Sequence, residues 1–492
     1  MKESGFEPRL GLTFDDVLLV PKYSDIKSRK DASISSRFSH GISVSTPVVS
    51  ANMDTVTESA MAIAMARLGG IGVIHRFLPL EVQAAEVAKV KRSESVVIED
   101  PITLGPNRTV KDAWEAIGEH AIGGIVIVDQ KRKVLGLVTR RDIILEEDFD
   151  RKLSEVMTPR RDLVTASKGV PLEEAERLLH RHRIEKLPLV DSGGRLAGLI
   201  TSKDIMKRRQ FPSATKDRKG RLRVAAAVGV RGDYLERARR LHEVGADCLV
   251  VDIAHGHSSY AIETLRAIRK ELGGVEIVAG NVATARGASD LIKAGADAVK
   301  VGVGSGSICV TRVVTGSGVP QLTAIIDASR AAIDNDVPII ADGGVRNPGD
   351  VTKALAAGAS TVMIGSLFAG TEESPGPTIL REGVRYKLTR GMASLAATVD
   401  RRMREGGRTH IQKESDVIEE VIQETVPEGV EGLIPYKGRV EEVVKELAGG
   451  LRSGMSYSGA HTIAELRASA EFLRITTAGH KESLPHDIQR VT

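Results

Sequence analysis

Short apolar runs alternate with amphipathic stretches along most of the chain. Pro47 to Ser50 and Ile71 to Ile74 read as strands flanking a small-residue helix from Glu58 to Leu68. After Pro212 a charged stretch, KDRKGRLRV, leads into six more apolar runs: VAAAVGV, CLVVDIAHGH, VEIVAGNV, AVKVGVGSG, VPIIADGG and TVMIGS. Each ends in glycine or a polar residue, and helical patterns such as TARGASDLIKAGA and NPGDVTKALAAGA lie between them. Near-continuous apolar strands separated by amphipathic helices predict an α/β protein with a parallel sheet covered on both faces. Two early strands and six late ones predict an eight-stranded (β/α)8 TIM barrel with something inserted into it.

The inserted part has its own pattern. Between about Ser93 and Phe211 the chain repeats itself: GIVIVDQKRKVLGLVTRRDI from Gly124 corresponds to EKLPLVDSGGRLAGLITSKDI from Glu185, with Gly136 and Gly198 at matching places. Each copy follows a strand-and-helix unit, ITLGPNRTVKDAWEAIGEHA or LVTASKGVPLEEAERLLHRHR. The expected domains are a first barrel part at 1–92, an insert at 93–211 with copies at about 93–150 and 151–211, and a second barrel part at 212–492. The pair resembles tandem cystathionine-β-synthase-type (CBS) modules, which bind adenine or guanine nucleotides. That resemblance gives a ribose-contacting role to Thr139 with Asp142 and to Thr201 with Asp204. Plain helix capping by the same residues is the structural alternative.

Composition narrows the class. The chain has 492 residues, 41% hydrophobic, with a net charge of only +4 and no basic run interleaved with aromatics, so nucleic-acid binding is not implied. Two cysteines suit a reducing compartment, and neither a signal peptide nor a run of about 18 apolar residues is seen, so a soluble cytoplasmic protein is expected.

The chemistry gathers at the predicted strand ends. From Lys300 to Gln321 an apolar strand breaks into glycine and serine and presents Cys309, with Thr311 and Arg312 just after it. Glycines allow close backbone approach to a ligand, Ser307 and nearby N–H groups suit a phosphate, and Arg312 would favour a thiolate. Asp342-Gly343-Gly344 and Gly365-Ser366 supply two further N–H-rich strand ends, the usual barrel phosphate site, although Asp342 could instead tie down a turn. Asp252 ends an apolar strand before His255-Gly256-His257, whose metal reading lacks a third ligand. Cys248, within an apolar run, reads as a buried, inert thiol.

The G-S-G-S-I-C-x-T loop with G-V-P-Q following, the barrel strands, the repeat and the tail TTAGHKESLPHDIQ together resemble the inosine-5′-monophosphate dehydrogenase and guanosine-5′-monophosphate reductase family over nearly the whole chain. By that resemblance Cys309 attacks C2 of a purine nucleotide with Thr311 assisting. Ser307, Asp342, Gly344, Gly365, Ser366, Met392 and Glu428 would bind the nucleotide, and Asp252, Asn281, Gly302 and Gly304 would lie by NAD. Carbonyls of Gly304, Gly306 and Cys309, with Glu482 and Ser483 of a neighbouring subunit, would hold a monovalent cation such as K+. A homotetramer is implied, with pairing into octamers left open, and regulatory purine nucleotides are expected at the insert.

Two places depart from the family pattern. Dehydrogenases carry an Arg-Tyr pair on a mobile flap to activate water; the corresponding segment, about 395–440, has Arg408-Thr409-His410, so Arg408 or His410 is expected to serve as base. The usual Y-R-G-M-G-S is here Thr389-Arg390-Gly391-Met392-Ala393-Ser394. These departures keep two alternatives in view: an NADPH-dependent GMP reductase, which needs no water-activating flap, and a nucleotide-sensing protein without catalysis.

Overall fold

In the computed structural model the described residues are 8–94, 97–120, 122–405, 414–424 and 426–485. Eight parallel strands close into a barrel: β1 (Val48–Ser50), β2 (Ile71–Ile74), β3 (Ala225–Val228), β4 (Cys248–Asp252), β5 (Glu276–Val282), β6 (Ala298–Val301), β7 (Ile339–Asp342) and β8 (Thr361–Ile364). Neighbours in sequence are neighbours in the barrel, and β8 pairs with β1 to close it. The early helix spans Ser59–Arg67, one residue shorter at each end than its apolar pattern suggests.

The two-residue period of the strands sorts their side chains. Val49, Ile71, Val73, Ala225, Ala227, Cys248, Val250, Val278, Ala298, Ile340 and Met363 form the barrel interior. Their immediate neighbours, among them Ala226, Leu249, Ile277, Val299, Ala341 and Val362, pack under the surrounding helices. Phe38, Ile42 and Val44 of an antiparallel hairpin join the interior cluster, and the amide of Gly41 at its turn donates to Glu276 at the start of β5. One end of the barrel is therefore plugged by apolar side chains. Cys248 sits wholly inside this core, where burial pushes its thiol well above the usual value.

The same period fixes what faces the other end. Asp252 is two residues beyond Val250, Lys300 two beyond Ala298 and Asp342 two beyond Ile340, so all three point inward at the C-terminal mouth.

Cα packing divides the chain into two compact units: one ends at Ser93 and resumes with Ser213–Asp217 and from Leu222 onward, the other comprises Glu94–Pro212 with Arg218–Arg221. The second unit holds two small sheets, Thr103–Leu104, Gly124–Val128, Val134–Thr139 and Thr158–Pro159 in one, and Ala166–Ser167, Lys186–Val190 and Leu196–Thr201 in the other, so the first sheet takes its last strand from beyond residue 150, where the second copy was expected to begin. Within the 395–440 segment, Leu395–Glu405 and Glu414–Glu424 are helical. Glu431–Pro435 is an outer strand of a three-stranded antiparallel sheet whose centre is Val384–Arg390. Among the described residues no helix is long and apolar enough to cross a membrane.

Candidate active site

The loop after β6 carries the nucleophile candidate. Gly302 opens it at φ 151°, and a Cβ there would lie 2.0 Å from the carbonyl oxygen of Asp342, so only glycine lets the loop cross the end of β7. Ser305 Oγ then donates to that same carbonyl at 3.0 Å. The chain turns at Gly306, whose carbonyl accepts from the Cys309 amide at 3.2 Å, and the short helix Thr311–Thr315 follows. Two backbone bonds clamp the loop to a distant segment: Val310 N–H donates to Glu428 O and Val430 N–H to Ile308 O.

That clamp sets a chain of polar groups in line. The half-buried Cys309 thiol donates to Thr311 Oγ1 at 3.1 Å, and the Thr311 hydroxyl donates to Glu428 Oε2 at 2.8 Å. A thiol, a hydroxyl and a carboxylate in hydrogen-bond contact provide a path from sulfur to a base. Glu428, assigned by resemblance to the nucleotide, thus stands against Thr311. Arg312, expected to favour the thiolate, does other work: its guanidinium donates to the carbonyls of Val319 (2.5 Å) and Val303 (3.5 Å), closing the loop on itself.

The inward-facing polar layer forms a second assembly. Lys300, only 2% exposed, places Nζ 3.0 Å from Asp252 Oδ1 and 2.9 Å from Asp342 Oδ2, and also donates to Asn281 Oδ1. Asn281 Nδ2 donates to Asp342 Oδ2 at 2.9 Å and to Gly302 O at 2.8 Å. Room for this lysine comes from Gly280, where a Cβ would fall 2.7 Å from that of Lys300. Burial would lower the Lys300 ammonium, yet the two carboxylates outweigh it and raise its pKa. Burial alone would raise the Asp252 carboxyl, but Lys300 and Arg76 hold it below the ordinary range, and Asn52 adds a hydrogen bond. Asp252 and Asn281, assigned by resemblance to the dinucleotide, and Asp342, assigned to the nucleotide, are therefore one bonded group around a lysine that sequence reading left without a role. Its signal was its phase: Lys300 shares the inward parity of Ala298 on an otherwise apolar strand.

Around the mouth, Gly343 and Gly344 turn at φ 95° and 81°, and Gly365 precedes the helix Ser366–Ala369 without a side-chain cap of its own. Met392 Sδ accepts from the Asp54 amide at 3.5 Å. Next to it Arg390 donates to Asp54 Oδ2 through Nε at 2.8 Å and pairs with Asp400 Oδ2 at 2.7 Å, joining the loop after β1 to the helix Leu395–Glu405. Ser307 is exposed in the turn before Cys309. Glu482 and Ser483 end the helix Thr477–Glu482, which packs on Phe14–Asp16 of its own chain. Arg408 and His410 lie outside the described residues. His257 is tied to Asp290 at 2.9 Å and His255 is exposed, and among the described residues no three His, Cys, Asp or Glu side chains converge on a metal position.

The profile of the family described as "IMP dehydrogenase / GMP reductase domain" matches residues 11–486. An inosine-5′-monophosphate dehydrogenase of Nitrosopumilus maritimus (strain SCM1) is 55% identical over 97% of this chain and 98% of its own length. One from Bacillus subtilis (strain 168) is 51% identical over 99% and 98%. Among solved structures, a cysteine-to-alanine variant of GMP reductase from Trypanosoma brucei, in complex with guanosine 5′-monophosphate, superposes with a TM-score of 0.90 at 44% identity, covering 99% of this chain and all of that one. With the family profile spanning nearly its whole length, the chain belongs to the IMP dehydrogenase / GMP reductase family.

Proposed function

We propose that the chain oxidises inosine 5′-monophosphate to xanthosine 5′-monophosphate with NAD, through a covalent bond to Cys309. The observation that carries this reading is the continuous Cys309–Thr311–Glu428 path on the glycine loop, in a chain whose 50–55% identical relatives are inosine-5′-monophosphate dehydrogenases. The Cys309 proton passes through Thr311 to Glu428 as sulfur adds to C2 of the purine. NAD, when bound, takes up the hydride that leaves C2. Glu428 passes the proton it received on to solvent; water then adds to the same carbon, and as the C–S bond breaks its two protons end on the purine ring nitrogen and on sulfur, which frees the product and the Cys309 thiol. Arg408 and His410 remain the flap residues assigned to assist that second step.

The remaining assignments follow the same reading. Ser307, Asp342, Gly344, Gly365, Ser366 and Met392 hold the nucleotide. Asp252, Asn281, Gly302 and Gly304 face NAD, which suits the inward-pointing polar layer at the barrel mouth. Carbonyl donors at Gly304, Gly306 and Cys309 suit a monovalent cation rather than a divalent one, with Glu482 and Ser483 supplied by a neighbouring subunit of a homotetramer. The inserted unit is a tandem CBS module for regulatory purine nucleotides, and the protein works in the cytoplasm.

One second reading has support of its own. The Trypanosoma brucei likeness and the lack of an adjacent Arg-Tyr pair in the 395–440 segment favour reductive deamination of guanosine 5′-monophosphate with NADPH, which shares Cys309 but needs no water. A catalytically silent role is disfavoured by the intact thiol-to-carboxylate path. The test is acid quenching of the protein with inosine monophosphate and NAD, followed by peptide mass spectrometry. A purine nucleotide adduct on the Cys309 peptide is expected; an adduct elsewhere, or none during turnover, would remove the covalent mechanism.

A further inference from the structure

One strand outside the barrel reverses the usual order of inside and out. Along the central strand Val384–Arg390, Val384 and Leu388 are exposed while Lys387 and Thr389 are buried. The two-residue period thus turns a lysine inward from a hairpin that shows apolar side chains to solvent. Lys387 is 3% exposed, and its ammonium donates to three main-chain carbonyls: Ser374 at 2.5 Å, Thr371 at 3.2 Å and Glu372 at 3.5 Å. Three N–H groups therefore meet three acceptors. Among the described residues no carboxylate lies within ion-pair distance of it; burial pushes its pKa down, and Glu372 and Glu373 attract it only from farther off. Keeping a charge out of water without a counter-charge is costly, so this lysine does more than fill space.

The three carbonyls belong to the turn that follows the helix Ser366–Ala369. A helix end leaves carbonyls without partners inside it. Here Thr371 Oγ1 donates to Phe368 O and Ser374 Oγ to Ala369 O, both at 2.8 Å, so the turn satisfies the helix end while its own carbonyls converge on Lys387. That helix starts from Gly365-Ser366, one of the two arms assigned to the nucleotide. The other arm is Met392, reached by running on along the lysine's own strand. On the way Arg390 bonds Asp54, and its amide donates to Thr55 Oγ1 at 3.4 Å. The strand is therefore pinned twice, by Arg390 to the loop after β1 and by Lys387 to the loop after β8.

We propose that Lys387 is a positioning residue for the nucleotide: by gathering the carbonyls of residues 371, 372 and 374 it fixes the spacing between the Gly365-Ser366 arm and the Met392 arm. This rests on the reading of the chain as an oxidoreductase of purine nucleotides. Lys387 touches neither substrate, and the residues assigned to NAD lie on other loops, so its removal separates the two substrates in their binding.

The test compares the full chain with Lys387→Met, which keeps the stem and loses every donor, and with Lys387→Gln, which keeps two N–H donors without the charge. Unfolding curves set a temperature at which each variant is folded. Steady-state kinetics then give kcat and the KM of inosine monophosphate and of NAD, and calorimetry gives the Kd of the nucleotide alone. In Lys387→Met the nucleotide KM and Kd are expected to rise about 10-fold to 100-fold, the range of one charge-assisted hydrogen bond, with kcat and the KM of NAD within about 3-fold of wild type. Lys387→Gln should recover part of the loss. A folded Lys387→Met with a nucleotide KM within about 3-fold of wild type overturns the proposal, and so does an equal rise in both KM values, which marks general damage to the barrel mouth. If Lys387→Met does not fold, Lys387→Gln is judged by the same comparison of the two KM values; failure of both to fold makes Lys387 a folding residue and overturns its positioning role. Wild type inactive with inosine monophosphate plus NAD and with guanosine monophosphate plus NADPH overturns the reading of the function instead, and the nucleotide Kd then decides on Lys387. A wild type that binds neither nucleotide overturns both.

Discussion

Replacing Thr311 with valine removes one hydroxyl and almost no volume, and that hydroxyl is the link between sulfur and carboxylate. It accepts from the Cys309 thiol at 3.1 Å and donates to Glu428 at 2.8 Å. In Thr311→Val the thiol loses its route to a base and Glu428 loses one bond, although its backbone clamp to Val310 stays. A proton path of this kind contributes about 10²–10⁴-fold to rate, or about 2.7–5.4 kcal/mol in the barrier. Thr311 is half-buried at the start of a five-residue helix, so the stability cost should stay within about 1 kcal/mol. Steady-state production of reduced nicotinamide should show kcat down by at least about 100-fold with KM for the nucleotide within about 3-fold. The opposite split, with KM raised and kcat kept, would make Thr311 a binding residue only. A kcat within about 3-fold of wild type would refute the relay.

Cys309→Ala should abolish turnover while calorimetry still shows nucleotide binding, since most of the residues assigned to the nucleotide lie on other strand ends. Lys300→Met should leave two inward carboxylates and Asn281 without their common cation, at a cost of about 3–5 kcal/mol in stability and weaker binding of both substrates; thermal unfolding and KM values check it. Because Lys300 and Arg76 hold the folded Asp252 pKa down despite burial, its contribution is complete above its unfolded value of about 3.9 and is lost as pH falls through the lower folded value. Lys300→Met should therefore begin acid unfolding at higher pH than wild type, followed by circular dichroism; coincident acid transitions would contradict the assignment. Arg390→Met leaves Asp54 and Asp400 facing each other and should raise the nucleotide KM more than it lowers kcat, because the break falls beside Met392. An unchanged KM would mean that the bridge holds nothing in the site.

The barrel was legible because its strands are short apolar runs ended by glycine, with helices between, and two runs before residue 75 supply what six later ones lack. Cys309 and Thr311 stand two residues apart in one motif and could be found by eye. The partners that give them chemistry could not. Glu428 lies 117 positions from Thr311 and came from resemblance, not spacing. Lys300 meets Asp252, Asn281 and Asp342 across separations of 48, 19 and 42 residues, and only barrel closure brings them together. Arg312 shows the converse limit: its place beside the cysteine in sequence gives no sign that its guanidinium is bonded to carbonyls of its own loop. The bridge from Arg390 to Asp54, 336 positions apart, has no local signal at all.

The most direct measurement is the near-ultraviolet absorbance of reduced nicotinamide with purified protein and potassium, using either inosine monophosphate plus NAD or guanosine monophosphate plus NADPH. A rise with the first pair, lost in Cys309→Ala, is the predicted result. A fall with the second pair and no change with the first would contradict it, and would make the absence of an Arg-Tyr pair from the 395–440 segment the decisive feature of the chain.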